Sequence, residues 1–215
     1  MANADVSSLL LTGFDAFGET RETGHAANPS WLAARLLDGE EIGGRKVVAA
    51  RLPTVFGTAW ETLERLIEQH RPALILCVGL AGGRSALSIE RVAINLMDAR
   101  IPDNAGHQPK DEPIVSGAPA AYFSSLPVRN MLQAVVAAGL PAELSQSAGT
   151  FVCNHVFYRL MHRLANDPAL ASTRGGFVHV PFLPEQGSPS LALASVVQGL
   201  RILLASAVAD GQPVR

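Results

Sequence analysis

Ala73-Leu74-Ile75-Leu76-Cys77-Val78 is an unbroken apolar run. An amphipathic helix interrupts such a stretch every third or fourth position, and a strand with one wet face interrupts it every second position. A strand covered on both faces needs no interruption, and that situation belongs to parallel sheets sandwiched between helices. Ser8-Leu9-Leu10-Leu11-Thr12, ending at Gly13, and Phe177-Val178-His179-Val180-Pro181 follow the same rule. Lys46 to Leu52 reads as extended, Ala142 to Ser145 as a short strand, and Ile89 to Met97 as a strand carrying Glu90, Arg91 and Asn95 among apolar residues. Gly79, Gly82 and Gly83 are expected to end the strand that begins at Ala73.

Helical patterns separate these runs. Asn28-Pro29 starts the first, because Asn caps a helix and Pro suits its first turn; Trp31, Leu32, Leu36 and Leu37 form its apolar stripe. Trp60, Leu63, Leu66 and Ile67 recur at helical spacing up to His70-Arg71-Pro72. Further helices are read over Pro127 to Ala138, Asn154 to Ala165 and Ser190 to Val208. Pro102 to Pro119 is polar, rich in Pro and Gly, and long for a loop in a compact domain, a length at which loops are often functional. The alternation predicts α/β structure: a single-domain three-layer α/β/α sandwich, residues 1–215, with a mostly parallel, mixed sheet.

Composition removes several function classes. With 48% hydrophobic and 17% charged residues, the chain is not a disordered one. A formal net charge of −2 lacks the basic excess of a nucleic-acid binder. No apolar run reaches the ~20 residues that cross a bilayer, so no membrane partner is expected. Met1 to Ser8 contains Asp5 and no Lys or Arg, unlike a secretion signal. Two cysteines make no disulfide framework. A cytoplasmic, reduced protein is expected, and the low charge for this size hints at surface buried in a homo-oligomer.

Cys153 is the first chemical candidate. It follows Ser147-Ala148-Gly149-Thr150-Phe151-Val152 and stands at the mouth of the helix read from Asn154. Unpaired N–H groups and the dipole at a helix start favour an anion, which predicts a lowered thiol pKa and donors for an oxyanion. A lone Cys is otherwise a small buried hydrophobe, the reading that fits Cys77 in mid-strand. His179, at the end of a buried strand, can supply the acid–base partner that a thiolate needs; alternatively it is a hydrogen-bonded core histidine. Glu90 can orient that imidazole, or it can be a solvated carboxylate paired with Arg91. His155 and His162 share the helix after Cys153, and His155, two residues along, points elsewhere. His25, His70 and His107 read as loop or helix-end residues. Gly79-Leu80-Ala81-Gly82-Gly83-Arg84 lacks the Lys-Ser/Thr ending of a phosphate loop, and no Cys-x-x-Cys, His-Glu-x-x-His or Gly-x-Ser-x-Gly occurs. Neither a metal nor a cofactor is expected.

Long segments then carry a resemblance. Gly79 to Arg84 with Ser88-Ile89-Glu90-Arg91-Val92-Ala93-Ile94-Asn95, Ser147 through Cys153-Asn154-His155, and Gly175 to Pro181 with Pro184-Glu185-Gln186 resemble the glutamate, cysteine and histidine signatures of the type I pyroglutamyl peptidases. These are cysteine exopeptidases, also called pyrrolidone-carboxylate peptidases. Leu11 to Gly18, Asn28 to Trp31 and Ala99 to Asn104 extend the resemblance along almost the whole chain in unchanged order.

The resemblance implies Cys153 as nucleophile, His179 as general acid and base, and Glu90 as the group orienting His179. It implies Phe14 and Phe17 on the two faces of a lactam ring, Ile101 as an apolar wall, backbone groups of Phe151 and Val152 on the ring's amide edges, Asn28 shaping the pocket, and Arg100 near the oxyanion. The partners it implies are peptides with N-terminal pyroglutamate, within a homo-oligomer, a tetramer in this family. Three departures stand out: Leu80 where the family commonly has Gln, a longer Gly18 to Ala27 stretch, and Ser88-Ile89-Glu90 in place of Thr-Pro-Glu. Two other readings remain at this stage: a thiol redox sensor using Cys153, and an inactive protein that keeps the binding pocket.

Overall fold

The computed structural model describes residues 8–18 and 27–210. The expected sandwich is present. Seven strands form the main sheet: β1 (Leu9–Phe14), β2 (Glu41–Ile42), β3 (Arg45–Leu52), β4 (Leu74–Leu80), β5 (Leu87–Glu90), β8 (Ala142–Ser145) and β9 (Arg174–Val180). Their order is β2-β3-β1-β4-β9-β5-β8. The pairs β3–β1, β1–β4, β4–β9 and β5–β8 are parallel, while β2–β3 and β5–β9 are antiparallel, which makes the sheet mixed. β6 (Val92–Ile94) and β7 (Ala121–Phe123) form a separate antiparallel ribbon.

Side chains alternate across a strand, so each apolar run feeds two cores. Leu9, Leu11, Leu74, Leu76, Val78, Val178 and Val180 face α1 (Pro29–Arg35), α3 (Val128–Ala137) and α5 (Leu193–Ala209). Leu10, Ile75, Cys77 and Phe177 face α2 (Thr58–His70) and α4 (Val152–Asn166). Each fully buried large side chain contributes roughly 1.5–3 kcal/mol, which is why the strand runs tolerate no polar break.

Several local expectations are corrected. β4 does not stop at Gly79 but pairs with β9 through Leu80. The Ile89 to Met97 stretch is two strands in different sheets, because the chain leaves the main sheet after the buried Glu90. The buried face of the first helix is Pro29, Ser30, Ala33 and Ala34; the helix ends at Arg35, so Leu36, 52% exposed, and the buried Leu37 lie beyond it. α4 begins at Val152, so Cys153 lies inside its first turn. His25 and most of the Gly18 to Ala27 stretch lie outside the described residues.

Candidate active site

The site is built where β4 and β9 end side by side. Gly79 pairs directly with His179. A Cβ on Gly79 would lie 2.7 Å from Cys153 Sγ and 2.9 Å from the Phe177 ring. The missing side chain therefore leaves the slot in which the sulfur sits, above the strand position next to His179. The Phe177 and His179 rings are 4.8 Å apart and tilted. Ser88 pairs with His179 and Glu90 with Phe177 across the antiparallel β5–β9 contact, which turns the Glu90 carboxylate toward the same face.

Glu90 is completely buried and His179 is 4% exposed. His179 Nδ1 and Glu90 Oε1 are 2.7 Å apart. A carboxylate only accepts, so Nδ1–H donates and Nε2 keeps its lone pair. Glu90 pairs with Arg84 rather than Arg91: Arg84 Nη1 donates to the same Oε1 at 2.8 Å.

The electrostatics correct one expectation. The Cys153 thiol is not lowered by its helix start; it is pushed up to about 12, first by burial, then by the negative charge of Glu90 and by Cys77. Arg84 and a backbone N–H pull the other way without prevailing. The residue keeps part of its surface open, but its sulfur is packed against Gly79 and Phe177, and desolvation penalises the thiolate more than the helix end favours it. Burial likewise lowers the His179 pKa, against the hydrogen bond and charge of Glu90. Burial thus works against charge on both the thiol and the imidazole.

Aromatic side chains gather beside this group. Phe14 is buried against Phe177, with ring centroids 6.3 Å apart. Phe17 meets Phe151 at 5.8 Å, and Phe56 meets Phe151 edge-on at 5.4 Å. Ile101, 42% exposed, lies near Gly18. The segment bearing Phe14 and Phe17 is held by its carbonyls: Asn28 and Thr54 donate to Asp15 O, and Asn104 donates to Ala16 O. Asn28 also caps α1, accepting from Ser30 N at 3.0 Å. Gly13 permits this arrangement, because a Cβ there would lie 2.5 Å from the Trp31 backbone.

Phe151 is the residue preceding α4, and Val152, fully buried, is its first residue. Arg100 is exposed, and its carbonyl accepts from Gln108; the charges acting on the Cys153 thiol come from Glu90, Cys77 and Arg84. Sequence reasoning missed Thr54, Phe56 and Arg84. Only Arg84 left a signal, as the last residue of the Gly79 to Arg84 stretch. Among the described residues no cluster of three or more His, Cys, Asp or Glu side chains could hold a metal ion, and no helix is long and apolar enough to cross a membrane. A cavity of about 370 Å³ opens at the other end of β4, beside Arg71, Pro72 and Ala73, and holds none of these residues.

Known proteins share this architecture. Residues 7–210 match the family model described as pyroglutamyl peptidase. A pyrrolidone-carboxylate peptidase of Cupriavidus taiwanensis is 54% identical, with 97% of this chain and 96% of the relative covered. One from Bacillus licheniformis is 50% identical, covering 90% and 89%. The crystal structure of pyroglutamyl peptidase I from Bacillus amyloliquefaciens superimposes with a TM-score of 0.90 at 43% identity, covering 97% of this chain and 98% of that one.

Proposed function

Starting from the fact that the chain belongs to the pyroglutamyl peptidase family, whose members are cysteine-type peptidases, we propose that it hydrolyses the amide bond after an N-terminal pyroglutamyl residue, with Cys153 as nucleophile, His179 as general acid and base, and Glu90 orienting the imidazole. The observation that carries this reading is the buried 2.7 Å Glu90–His179 contact on the strand position next to the one under the Cys153 sulfur.

Because burial disfavours a lone charge on either group, the thiol and imidazole react as a neutral pair in this reading. His179 Nε2 takes the Cys153 proton as Sγ attacks the pyroglutamyl carbonyl carbon. The imidazolium forms against Glu90, and backbone N–H groups in the first turn of α4 receive the oxyanion. In this reading the exposed Arg100 is the added cation. The imidazolium then gives its proton to the leaving amine as the C–N bond breaks, leaving a thioester. Water, giving a proton to His179, attacks that thioester and releases pyroglutamate and the thiol. No step calls for a metal or cofactor.

The substrate ring is flat and uncharged, which suits Phe14 and Phe17 on its faces, Ile101 as an apolar wall, and the backbone of Phe151 and Val152 on its amide edges. Asn28 shapes this pocket indirectly, through its bond to Asp15 O. A free amino terminus would place an unpaired ammonium in the same apolar slot, at heavy cost. The family's tetramer and a cytoplasmic setting belong to the same proposal; Phe123, 71% exposed, is apolar surface that an assembly would cover.

Hydrolysis of a pyroglutamyl amide beside its prolyl analogue tests the reading. Wild type cleaves the first and not the second, Cys153→Ala cleaves neither, and Cys153→Ser retains little activity. Thiol alkylation inactivates and a chelator does not. Full activity in Cys153→Ala rejects the assignment of the nucleophile.

A further inference from the structure

We infer that Arg84 is a positioning residue for the reaction, acting through Glu90: its guanidinium fixes the carboxylate that holds His179 and ties it to the segment leading into the nucleophile. The inference rests on the peptidase reading above.

Arg84 lies in the turn after β4, 26% of its side chain exposed, and it bridges elements remote in sequence. Nη1 donates to Glu90 Oε1 at 2.8 Å and Nη2 to Ser147 O at 3.1 Å. Ser147 belongs to the 146–151 segment that delivers Cys153. A planar guanidinium presents several donors in fixed relative directions, so one side chain sets the carboxylate relative to that backbone.

The need for it lies in what Glu90 lacks. Glu90 Oε1 receives both His179 and Arg84, while Oε2 is buried with no hydrogen-bond partner among the described residues. With Oε2 unbonded, a single hydrogen bond from His179 would leave the carboxylate free to pivot, and His179 would follow it. Arg84 adds a second tether to the oxygen that matters.

Charge gives a second reason. The charged and titratable groups acting on His179 and Cys153 from the surrounding elements are Glu90 on β5, Arg84 after β4 and Cys77 on β4. When the thiolate and imidazolium form, Glu90 alone would leave this buried group with a net negative charge. With Arg84 the sum is zero, and an uncompensated buried charge is expensive.

Steady-state kinetics on a pyroglutamyl amide across pH 5–9 decides the matter. Arg84→Met is expected to lower kcat about 10- to 100-fold with KM little changed, the usual scale for a group that orients a reacting one. Its acid limb in kcat/KM moves to higher pH, because His179 loses the positive neighbour that opposes its protonation. Arg84→Lys keeps the charge but cannot reproduce the fork, so it keeps the wild-type limb and loses kcat, by less than the methionine variant. Should Arg84→Met fail to fold, the lysine variant carries the test through its kcat. Wild-type kcat in Arg84→Lys together with an unmoved limb in Arg84→Met, or wild-type kcat in the only variant that folds, overturns the inference. An inactive wild-type protein overturns the peptidase reading instead, so the two failures are distinguishable.

Discussion

At the scale of single residues, the site depends on an absence. Gly79 has no need of left-handed backbone freedom; it is required because Cys153 Sγ and Phe177 occupy the space its side chain would fill. Gly79→Ala must push either the sulfur or a ring that is packed against His179. A displacement near 1 Å at a reacting atom costs about 100-fold in rate, and overpacking at a buried position costs about 1–3 kcal/mol. The expected result is a folded protein whose kcat on a pyroglutamyl amide falls about 100-fold. Wild-type kcat in a folded Gly79→Ala protein would show that the sulfur does not depend on that slot. Cys153, His179 and Glu90 could be picked out as candidates from a helix start, a strand end and a carboxylate among apolar residues, but each setting fitted a structural role equally, and only the resemblance joined the three. The thiol's pKa was misjudged for a physical reason: the helix-end field is a local property, whereas desolvation depends on Phe177 and β4, contributed by distant segments.

Among the elements, the long apolar strands and amphipathic helices could be read directly, since their periodicity reports which faces are covered. The break within Ile89 to Met97 could not. Its residues suit a strand throughout, and only tertiary pairing sends β5 to β9 and β6 to β7. Asn154 holds that break against α4. Its side chain donates to Ile94 O at 2.9 Å and Leu96 O at 3.1 Å, and accepts from Ile94 N at 3.0 Å. Asp98 N to Thr150 O and Thr150 Oγ1 to Asp98 O join the same segments. Removing three partly buried bonds at about 1 kcal/mol each costs Asn154→Ala about 3 kcal/mol. For a chain of this size the thermal midpoint drops by roughly 10 °C. Calorimetry reads this, and a drop under about 2 °C would mean that the β6–β7 ribbon docks without Asn154.

For the molecule as a whole, the buried histidines set how it answers to acid. His155 packs against Phe56 at 5.7 Å, its Nδ1 is buried without a hydrogen-bond partner among the described residues, and burial followed by the charge of Arg159 lowers its pKa to about 4. In the unfolded chain an imidazole titrates near 6.5. Between those values the unfolded state binds the extra proton, so stability rises with pH and is lost as pH falls from about 6.5 toward 4. A shift of that width corresponds to about 3 kcal/mol. His179, also lowered by burial, acts with the same sign. The carboxyls of Asp167, held low by the Ala169 N–H, and Glu40, held low by Arg201, lose their contribution only at lower pH. All three remain in a His155→Gln protein, so comparing the two proteins isolates His155. Urea unfolding at pH 7 and pH 4.5 is expected to show the wild type losing more stability than the variant, by about 2 kcal/mol. Equal losses would mean that His155 reaches solvent, or opens to it, before the fold gives way.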